Sequence, residues 1–227
     1  MDSVERFPSE SNPRPEPGMF SRLTSLDRLG SDWQALPAHL KPRIHIIGGP
    51  GSGKSYIAAK LAARFGVAAH ALDDLFWDHA ASRYGIRAEA SERDRQLAAI
   101  VAQDGWIIEG VYYQWLAPSF DAADVIIGLT PSIWVRHWRV IRRFILRKLG
   151  RIPSKRESFV DLGRLLCWSH AYDTDNLVQA RNFMAGRGRE LMDCKNFDSV
   201  LATLNRLANL RSGNGLSIRA LLRMDKL

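Results

Sequence analysis

The eight residues from Gly48 to Ser55 have the types and the spacing needed to bind phosphate groups. They read Gly-Gly-Pro-Gly-Ser-Gly-Lys-Ser and fit the pattern G-x-x-x-x-G-K-[ST]. In such a loop, backbone N–H groups surround the phosphates, which requires backbone conformations and close approach that a Cβ would obstruct. The lysine places a positive charge against the outer phosphates, and the hydroxyl that follows it is a ligand for Mg²⁺. The sequence therefore predicts a nucleoside triphosphate-binding loop. The residues expected to bind the nucleotide are Gly48, Gly49, Gly51, Ser52, Gly53, Lys54, Ser55 and Tyr56.

The residues on either side of this loop have the patterns of a strand and of a helix. Ile44 to Ile47 is a short run of β-branched residues, and Ser55 to Phe65 has the Ala- and Leu-rich pattern of a helix that Gly66 ends. A phosphate-binding loop needs this order of strand, loop and helix, because the N-terminus of the helix also attracts anions. The context therefore supports the motif.

Three carboxylates follow the ends of two further predicted strands. Val67 to Leu72 is predicted to be a strand that leads into Asp73 and Asp74, and the buried strand Trp106 to Ile108 ends in Glu109. Ligands of open parallel sheets bind at the carboxyl ends of the strands, so we expect these side chains to lie near the phosphates. The alternative for the Asp pair is a solvated turn. We predict that Asp73 or Asp74 orients or deprotonates an acceptor.

A long helix is predicted to begin at Pro131 and carries many arginines. Its apolar residues recur at spacings of four, three, four and four, which is typical of a core-facing stripe; they are Trp134, Trp138, Ile141, Ile145 and Leu149. The adjoining face carries Arg136, Arg139, Arg143 and Arg147, with Arg142 beside them. Such charges often form a solvated face, but this helix has no acid to pair them, and arginine matches phosphate oxygens. We therefore predict a lid over residues 136–156. Its expected catalytic cations are Arg139, Arg142 and Arg143.

The rest of the chain is predicted to complete an α/β domain. Further helices are expected at Glu89 to Gln103, across Lys155 to Arg187 with a break near Asp173, and at Phe197 to Leu210. Further strands are expected at Asp124 to Leu129 and at Arg189 to Cys194. Asp124 stands at the start of its strand and is expected to be structural. Tyr112, Tyr113 and Trp115 follow Glu109 and either stack on an acceptor ring or fill the core.

Length, charge and cysteine content limit the classes of protein to consider. The 227 residues suit one domain, predicted over 42–211, with a partly disordered extension over 1–41 and a basic amphipathic tail over 212–227. No apolar run is long enough to cross a bilayer, so no membrane partner is expected. Cys167 and Cys194 cannot form a disulfide framework and lack metal-ligand spacing, which favours a reducing, cytoplasmic location.

The positive charge of the chain is concentrated in one segment. The formal net charge is +8, and residues 136–156 contain nine Lys and Arg with no Asp or Glu, so that the rest of the chain carries a net charge of −1. One basic segment in a nearly neutral chain points to a local anion site more than to a broad nucleic-acid surface. Nucleic acid therefore stays a less favoured partner.

These segments together resemble the DNA topology modulation proteins, which are relatives of adenylate kinase and shikimate kinase. The resemblance rests on the loop, Leu72-Asp-Asp-Leu-Phe-Trp77, Arg83-Tyr-Gly85, Trp106-Ile-Ile-Glu-Gly-Val-Tyr-Tyr113 and Trp138-Arg-Val-Ile-Arg-Arg-Phe144, and covers roughly residues 43–205. It implies a P-loop nucleoside-kinase-like fold, with a five-stranded parallel sheet in the order 2-3-1-4-5, helices on both faces and an arginine-bearing helical lid.

The chain departs from this pattern because no clear Walker B aspartate follows an apolar strand. Glu109 occupies the nearest equivalent place. The candidate metal ligands are Ser55, Asp73 and Glu109.

Two functions follow from these observations. The leading hypothesis is an ATP- and Mg²⁺-dependent kinase for an unidentified small acceptor, with Lys54, the Asp pair and the lid arginines as its catalytic groups. The alternative is a nucleotide-gated regulatory protein whose basic helix binds DNA or another protein.

Overall fold

The computed structural model describes residues 41–78, 86–152 and 158–214. The predicted N-terminal extension up to residue 40, the Arg83-Tyr-Gly85 segment, residues 153–156 of the lid and the tail from residue 215 lie outside the described residues. Within those ranges the strands are β1 (Arg43–Ile47), β2 (Ala68–Ala71), β3 (Trp106–Gly110), β4 (Val125–Leu129) and β5 (Leu191–Cys194). The helices are α1 (Lys54–Phe65), α2 (Leu72–Phe76), α3 (Ala90–Val101), α4 (Ala117–Ala122), α5 (Ile133–Lys148), α6 (Phe159–Ala171), α7 (Asn176–Gly186) and α8 (Phe197–Asn214).

The strands form one parallel sheet in the order β2-β3-β1-β4-β5, which confirms the predicted fold class. The order requires helical crossovers on both faces, so the central strands are buried on both sides and read as apolar runs. Side chains alternate between two cores. Ile44 and Ile46 face α1 and α8, whereas Ile47 and Ile108 face the opposite core.

The sheet places its functional loops along one edge. In β1, Ile47 pairs with Gly110 of β3, and the Gly48 N–H donates to the Gly110 carbonyl at 3.2 Å. Asp124 lies at the other edge, where its carboxylate accepts a hydrogen bond of 2.8 Å from the Arg43 N–H. Asp124 therefore fixes the start of β1 and stands away from the loop, in agreement with the structural role that the sequence predicted.

Two local predictions are wrong. The strand expected up to Leu72 ends at Ala71, and Leu72 begins α2, so Asp73 and Asp74 lie in the first turn of a helix. The larger error concerns α5, whose predicted core stripe faces outward: Trp134 is 80% exposed and Trp138 64%. Its buried face consists instead of Arg136, Val140 and Phe144.

Candidate nucleotide-binding site

The loop between β1 and α1 has the backbone shape of a phosphate cradle. Gly51 and Gly53 have φ angles of +75° and +95°, which residues with a Cβ rarely adopt. Gly53 is the N-cap of α1, and no side chain of the described residues caps that helix. The first-turn N–H groups of α1 are therefore directed into the loop, where a bound phosphate would accept hydrogen bonds from them.

Lys54, Ser55 and Glu109 form one polar cluster at the start of α1. Glu109 pairs with Ile46 in the sheet and is only 5% exposed. The Ser55 hydroxyl donates to Glu109 Oε1 at 2.7 Å, and Lys54 Nζ lies 3.9 Å from Glu109 Oε2. The hydroxyl and the carboxylate predicted to bind Mg²⁺ are thus in direct contact beside the loop lysine.

The two carboxylates of α2 differ in their surroundings. Because Ala71 pairs with Glu109, the chain leaves β2 at the same edge of the sheet as the loop. Asp73 is half-buried and accepts a 3.0 Å hydrogen bond from the Tyr112 hydroxyl. Asp74 is exposed, and its charge acts on His70. Burial lowers the pKa of His70, and a hydrogen bond with Gln103 and the charge of Asp74 offset part of this decrease. Asp73 is therefore the more buried of the two carboxylates and is held by Tyr112.

The aromatic residues after Glu109 mainly fill the core. Tyr112 and Tyr113 are each 8% exposed, and the Tyr112 ring stacks on Phe76 with 4.4 Å between centroids. The guanidinium carbon of Arg93 lies 4.5 Å from the centroid of the Trp115 ring. Of the two interpretations left open by the sequence, these contacts favour core packing, with the Tyr112 hydroxyl as a polar exception.

Arg136 does not belong to a solvated face. Its guanidinium is 1% exposed and forms two hydrogen bonds, of 2.7 and 2.8 Å, with the carboxylate of Asp173. It also packs behind the loop, because a Cβ on Gly49 would lie 3.0 Å from Arg136 Nη1. The expectation that no acid pairs these arginines is therefore wrong: the partner lies at the predicted break in the following helical region.

Arg139 contacts the loop backbone. Its Nη1 donates to the Ser52 carbonyl at 2.8 Å and to the Gly51 carbonyl at 3.3 Å. Arg142, further along α5, is exposed, and Arg143 is half-buried. In this structure Arg139 contacts the backbone of the loop, and its role as a cation that closes over the phosphates stays a prediction.

Helix α6 supplies further support for the loop that the sequence did not reveal. The buried Ser169 hydroxyl donates to the Pro50 carbonyl at 3.2 Å. The ring of Tyr172 packs against Gly49, and burial raises the pKa of its phenol. The carbonyls of Pro50, Gly51 and Ser52 are thus held by α5 and α6, and the N–H groups of Gly48 and Ser52 donate to the carbonyls of Gly110 and Gly49. The only sequence signal was the helix break near Asp173.

Two other predicted nucleotide-binding residues have distinct surroundings. Ser52 is buried, and among the described residues nothing forms a hydrogen bond with its hydroxyl. Tyr56 is 49% exposed, and the Lys60 ammonium lies 4.9 Å from its ring centroid. The unsatisfied hydroxyl of Ser52 fits a loop that is completed by a polar ligand.

The cradle and its oxygen ligands fit ATP and Mg²⁺. Across residues 41–78, 86–152 and 158–214, no group of three or more His, Cys, Asp or Glu could hold a metal ion. A metal here would therefore depend on Ser55, Glu109 and oxygens from phosphate or water, as Mg²⁺ usually does. No helix in these ranges is long and apolar enough to cross a membrane.

Comparison with known proteins gives likeness of fold. No protein-family model matches the chain, and no curated protein sequence matches it. Among solved structures, shikimate kinase from Acinetobacter baumannii in complex with shikimate matches 79% of this chain and 99% of its own, at 14% identity and a TM-score of 0.47. A proposed fructose transport system kinase from Silicibacter sp. TM1040 matches 62% of this chain and 89% of its own, at 18% identity and a TM-score of 0.43.

The sheet order and the loop define the protein as a member of the P-loop α/β class with a kinase-like strand arrangement. At such identities and TM-scores, the two similar structures carry no argument about its reaction.

Proposed function

We propose that this protein is an ATP- and Mg²⁺-dependent phosphotransferase that transfers the γ-phosphoryl group to a small-molecule acceptor. The observation that carries the proposal is the cluster of Lys54, Ser55 and Glu109 beside the glycine cradle. It supplies the cation, the metal-binding hydroxyl and the carboxylate that phosphoryl transfer needs in one place.

Each group has a role that follows from its chemistry. The loop N–H groups bind the phosphates, and Lys54 neutralises charge on the outer ones. Ser55 and Glu109 would hold Mg²⁺, which neutralises phosphate charge when it is bound.

Asp73 is the proposed acceptor-orienting group. Its carboxylate lies at the loop edge of the sheet, and the Tyr112 hydroxyl fixes one of its oxygens. In this proposal the Asp73 carboxylate accepts the proton of an acceptor hydroxyl as that hydroxyl attacks phosphorus and the bond from phosphorus to ADP breaks. Arg139 acts through the loop, because its contacts are with the carbonyls of Gly51 and Ser52.

The arrangement also bears on the alternative of a DNA-binding regulatory NTPase. A DNA-binding face requires arginines directed to solvent, whereas Arg136 is buried with Asp173 and Arg139 is bonded to the loop. In the kinase proposal, both arginines hold the phosphate-binding loop in place. We also propose 42–211 as the catalytic domain and the DNA topology modulation proteins as its relatives.

ADP release tests the proposal. Wild-type protein with ATP-Mg²⁺ is screened against nucleosides, nucleotides, sugars and aminoglycosides for acceptor-stimulated ADP. Lys54→Ala is expected to abolish the stimulated rate. Asp73→Asn is expected to lower turnover strongly while ATP affinity by calorimetry is retained, because Asp73 acts on the acceptor.

The neighbouring carboxylate is the matched control. Asp74→Asn removes the same charge from the same turn of α2 and is expected to retain most turnover. Equal losses in Asp73→Asn and Asp74→Asn would contradict the assigned role of Asp73. DNA affinity with a steep salt dependence, and no stimulation by any acceptor, would replace the kinase with the regulatory alternative.

A further inference from the structure

The outer side of α5 carries a continuous apolar surface, here called the α5 stripe. It consists of Trp134, Trp138, Ile141, Ile145 and Leu149. Trp134 is 80% exposed, Trp138 and Leu149 are each 64% exposed, and Ile145 is 46% exposed. Apolar surface of this extent and continuity marks an interaction site more often than scattered apolar residues do.

The packing of α5 against the loop and α6 explains why the stripe is exposed. The buried face of the helix, with Arg136, Val140 and Phe144, packs against the loop and α6. Positions 134, 138, 141 and 145 lie on the opposite side of a 3.6-residue helix. The stripe therefore faces away from the nucleotide site, and an interaction there leaves the loop contacts intact.

The apolar surface continues onto the start of α6. Phe159 and Val160 are 75% and 62% exposed, and the ring of Phe159 lies 5.2 Å from that of Phe144. The Lys148 ammonium lies 5.8 Å from the centroid of Phe159, so a cation borders the apolar surface. Two acids flank Phe159 in the sequence: Glu157, which lies outside the described residues, and Asp161, which is engaged with Ser158 in the capping box of α6.

The charges around the stripe select its partner. Arg142, Lys148 and Arg151 are exposed on α5 or directly after it. Two copies of the stripe placed face to face would bring these like charges together, which disfavours a dimer. An anionic surface would instead attract the cations while it accepts the apolar side chains.

The apolar residue types favour lipid over nucleic acid. Ile141, Ile145 and Leu149 cannot stack on bases as aromatic rings do, but they suit the boundary between headgroups and acyl chains. Tryptophan is enriched at the same depth because its ring is apolar and its N–H is polar. We infer that the outer face of α5 binds the surface of an anionic lipid membrane, with the helix lying in the plane of the interface.

A helix that lies on a membrane surface needs no spanning segment, and none occurs among the residues that the structure describes. The sequence led us to expect no membrane partner because no apolar run could cross a bilayer, but a helix that lies on the surface needs only one apolar face and flanking cations. The 16 residues of α5 supply both.

Sedimentation of the full chain with lipid vesicles tests the inference. Vesicles of phosphatidylcholine with about one third phosphatidylglycerol are expected to pellet the wild-type protein, and vesicles of phosphatidylcholine alone much less. Trp134→Ser with Trp138→Ser is expected to lower the affinity for the anionic vesicles at least about tenfold, since two aromatic side chains no longer enter the interface. The matched control is Ile86→Ser with Val178→Ser, two apolar residues that are each 45% exposed elsewhere; it is expected to bind as wild type.

A second pair of variants tests the electrostatic part. Lys148→Gln with Arg151→Gln is expected to weaken binding by about 30-fold, at roughly fivefold for each basic residue near an anionic surface. Lys195→Gln with Arg206→Gln removes the same charge at a distance from α5 and is expected to have little effect. Vesicle binding that is lost equally in the control pairs would show that the stripe is not the binding surface.

Four other results would overturn the inference. The first is a wild-type protein that does not pellet with anionic vesicles. The second is a wild-type dimer that the Trp134 and Trp138 changes convert to a monomer, which would make a second copy the partner. The third is vesicle binding that occurs only after removal of residues 1–40, which would mean that this segment covers the stripe. The fourth is single-stranded DNA binding that the same changes abolish while vesicle binding persists.

Discussion

Replacing Asp173 with asparagine would leave the guanidinium of Arg136 buried without a negative partner. Arg136 is 1% exposed, whereas Asp173 keeps 38% of its side-chain surface in contact with solvent. Removing one member of a buried pair usually costs about 3–5 kcal/mol of unfolding free energy. Because water reaches the Asp173 side, we take the lower end, about 3 kcal/mol, for Asp173→Asn.

The converse change should cost less, because the group that it leaves behind is solvated. Arg136→Met keeps an apolar stem of similar length and leaves Asp173 partly exposed, so we expect about 1–2 kcal/mol. The double variant removes both charges and should be no less stable than Asp173→Asn, which gives a coupling free energy of at least about 1–2 kcal/mol. Breaking the pair should also weaken ATP binding, since Arg136 packs behind Gly49.

Urea unfolding of the wild type, both single variants and the double variant measures these differences. Thermal melts should show Asp173→Asn lower than wild type by roughly 10 °C, at about 2–4 °C for each kcal/mol. Additive effects of the two changes, or a greater loss in Arg136→Met than in Asp173→Asn, would refute the argument that burial of the guanidinium dominates.

Three further predictions concern the loop, the metal and the buried core. Burial lowers the pKa of His45 from 6.5 to about 3, so stability is greatest above pH 6.5, where His45 is neutral, and falls as the pH decreases toward 3. In urea titrations the wild type should lose about 2 kcal/mol of unfolding free energy between pH 8 and pH 5 relative to His45→Leu. Parallel pH profiles of the two proteins would contradict this. Gly51→Ala places a Cβ 2.5 Å from a carbonyl oxygen of α5 at a φ of +75°, so calorimetry should show weakened ATP binding. Gly66 has a φ of +63°, and a Cβ there would meet nothing within 4 Å. Gly66→Ala should therefore have a similar conformational cost, about 1–2 kcal/mol, but normal ATP affinity. Glu109→Gln should lower turnover and the affinity for Mg²⁺ by about 10- to 100-fold in a metal titration, because the amide that replaces the carboxylate beside Ser55 carries no negative charge. An unchanged Mg²⁺ dependence would remove Glu109 from the metal site.

The features of this protein that could be predicted from the sequence are those that depend on neighbouring residues in the chain. The phosphate loop was predictable because its glycines, lysine and serine are adjacent in the chain and each has a specific chemical reason to be there. The central strands β1, β3 and β4 were predictable because parallel strands buried on both faces are continuous apolar runs. The resemblance to a known family implied the strand order, and the structure confirms it.

Periodicity could not decide which face of α5 is buried. The apolar side chains and the arginines each form a stripe with helical spacing, and apolar character favoured burying the tryptophans. The structure buries Arg136 because Asp173, 37 residues later, supplies a fixed partner for its charge. A charge can be buried when it is paired and hydrogen-bonded, and no local pattern records a partner that distant.

Tertiary structure likewise separated groups that the sequence treated as equal. Asp73 and Asp74 are neighbours in the chain, but one turn of α2 directs the first to Tyr112 and exposes the second. The sequence therefore determined which chemical groups this protein brings to the edge of its sheet. Only the packing of α2, α5 and α6 decided which of those groups face the loop, because side-chain direction depends on contacts between residues that are remote in the chain.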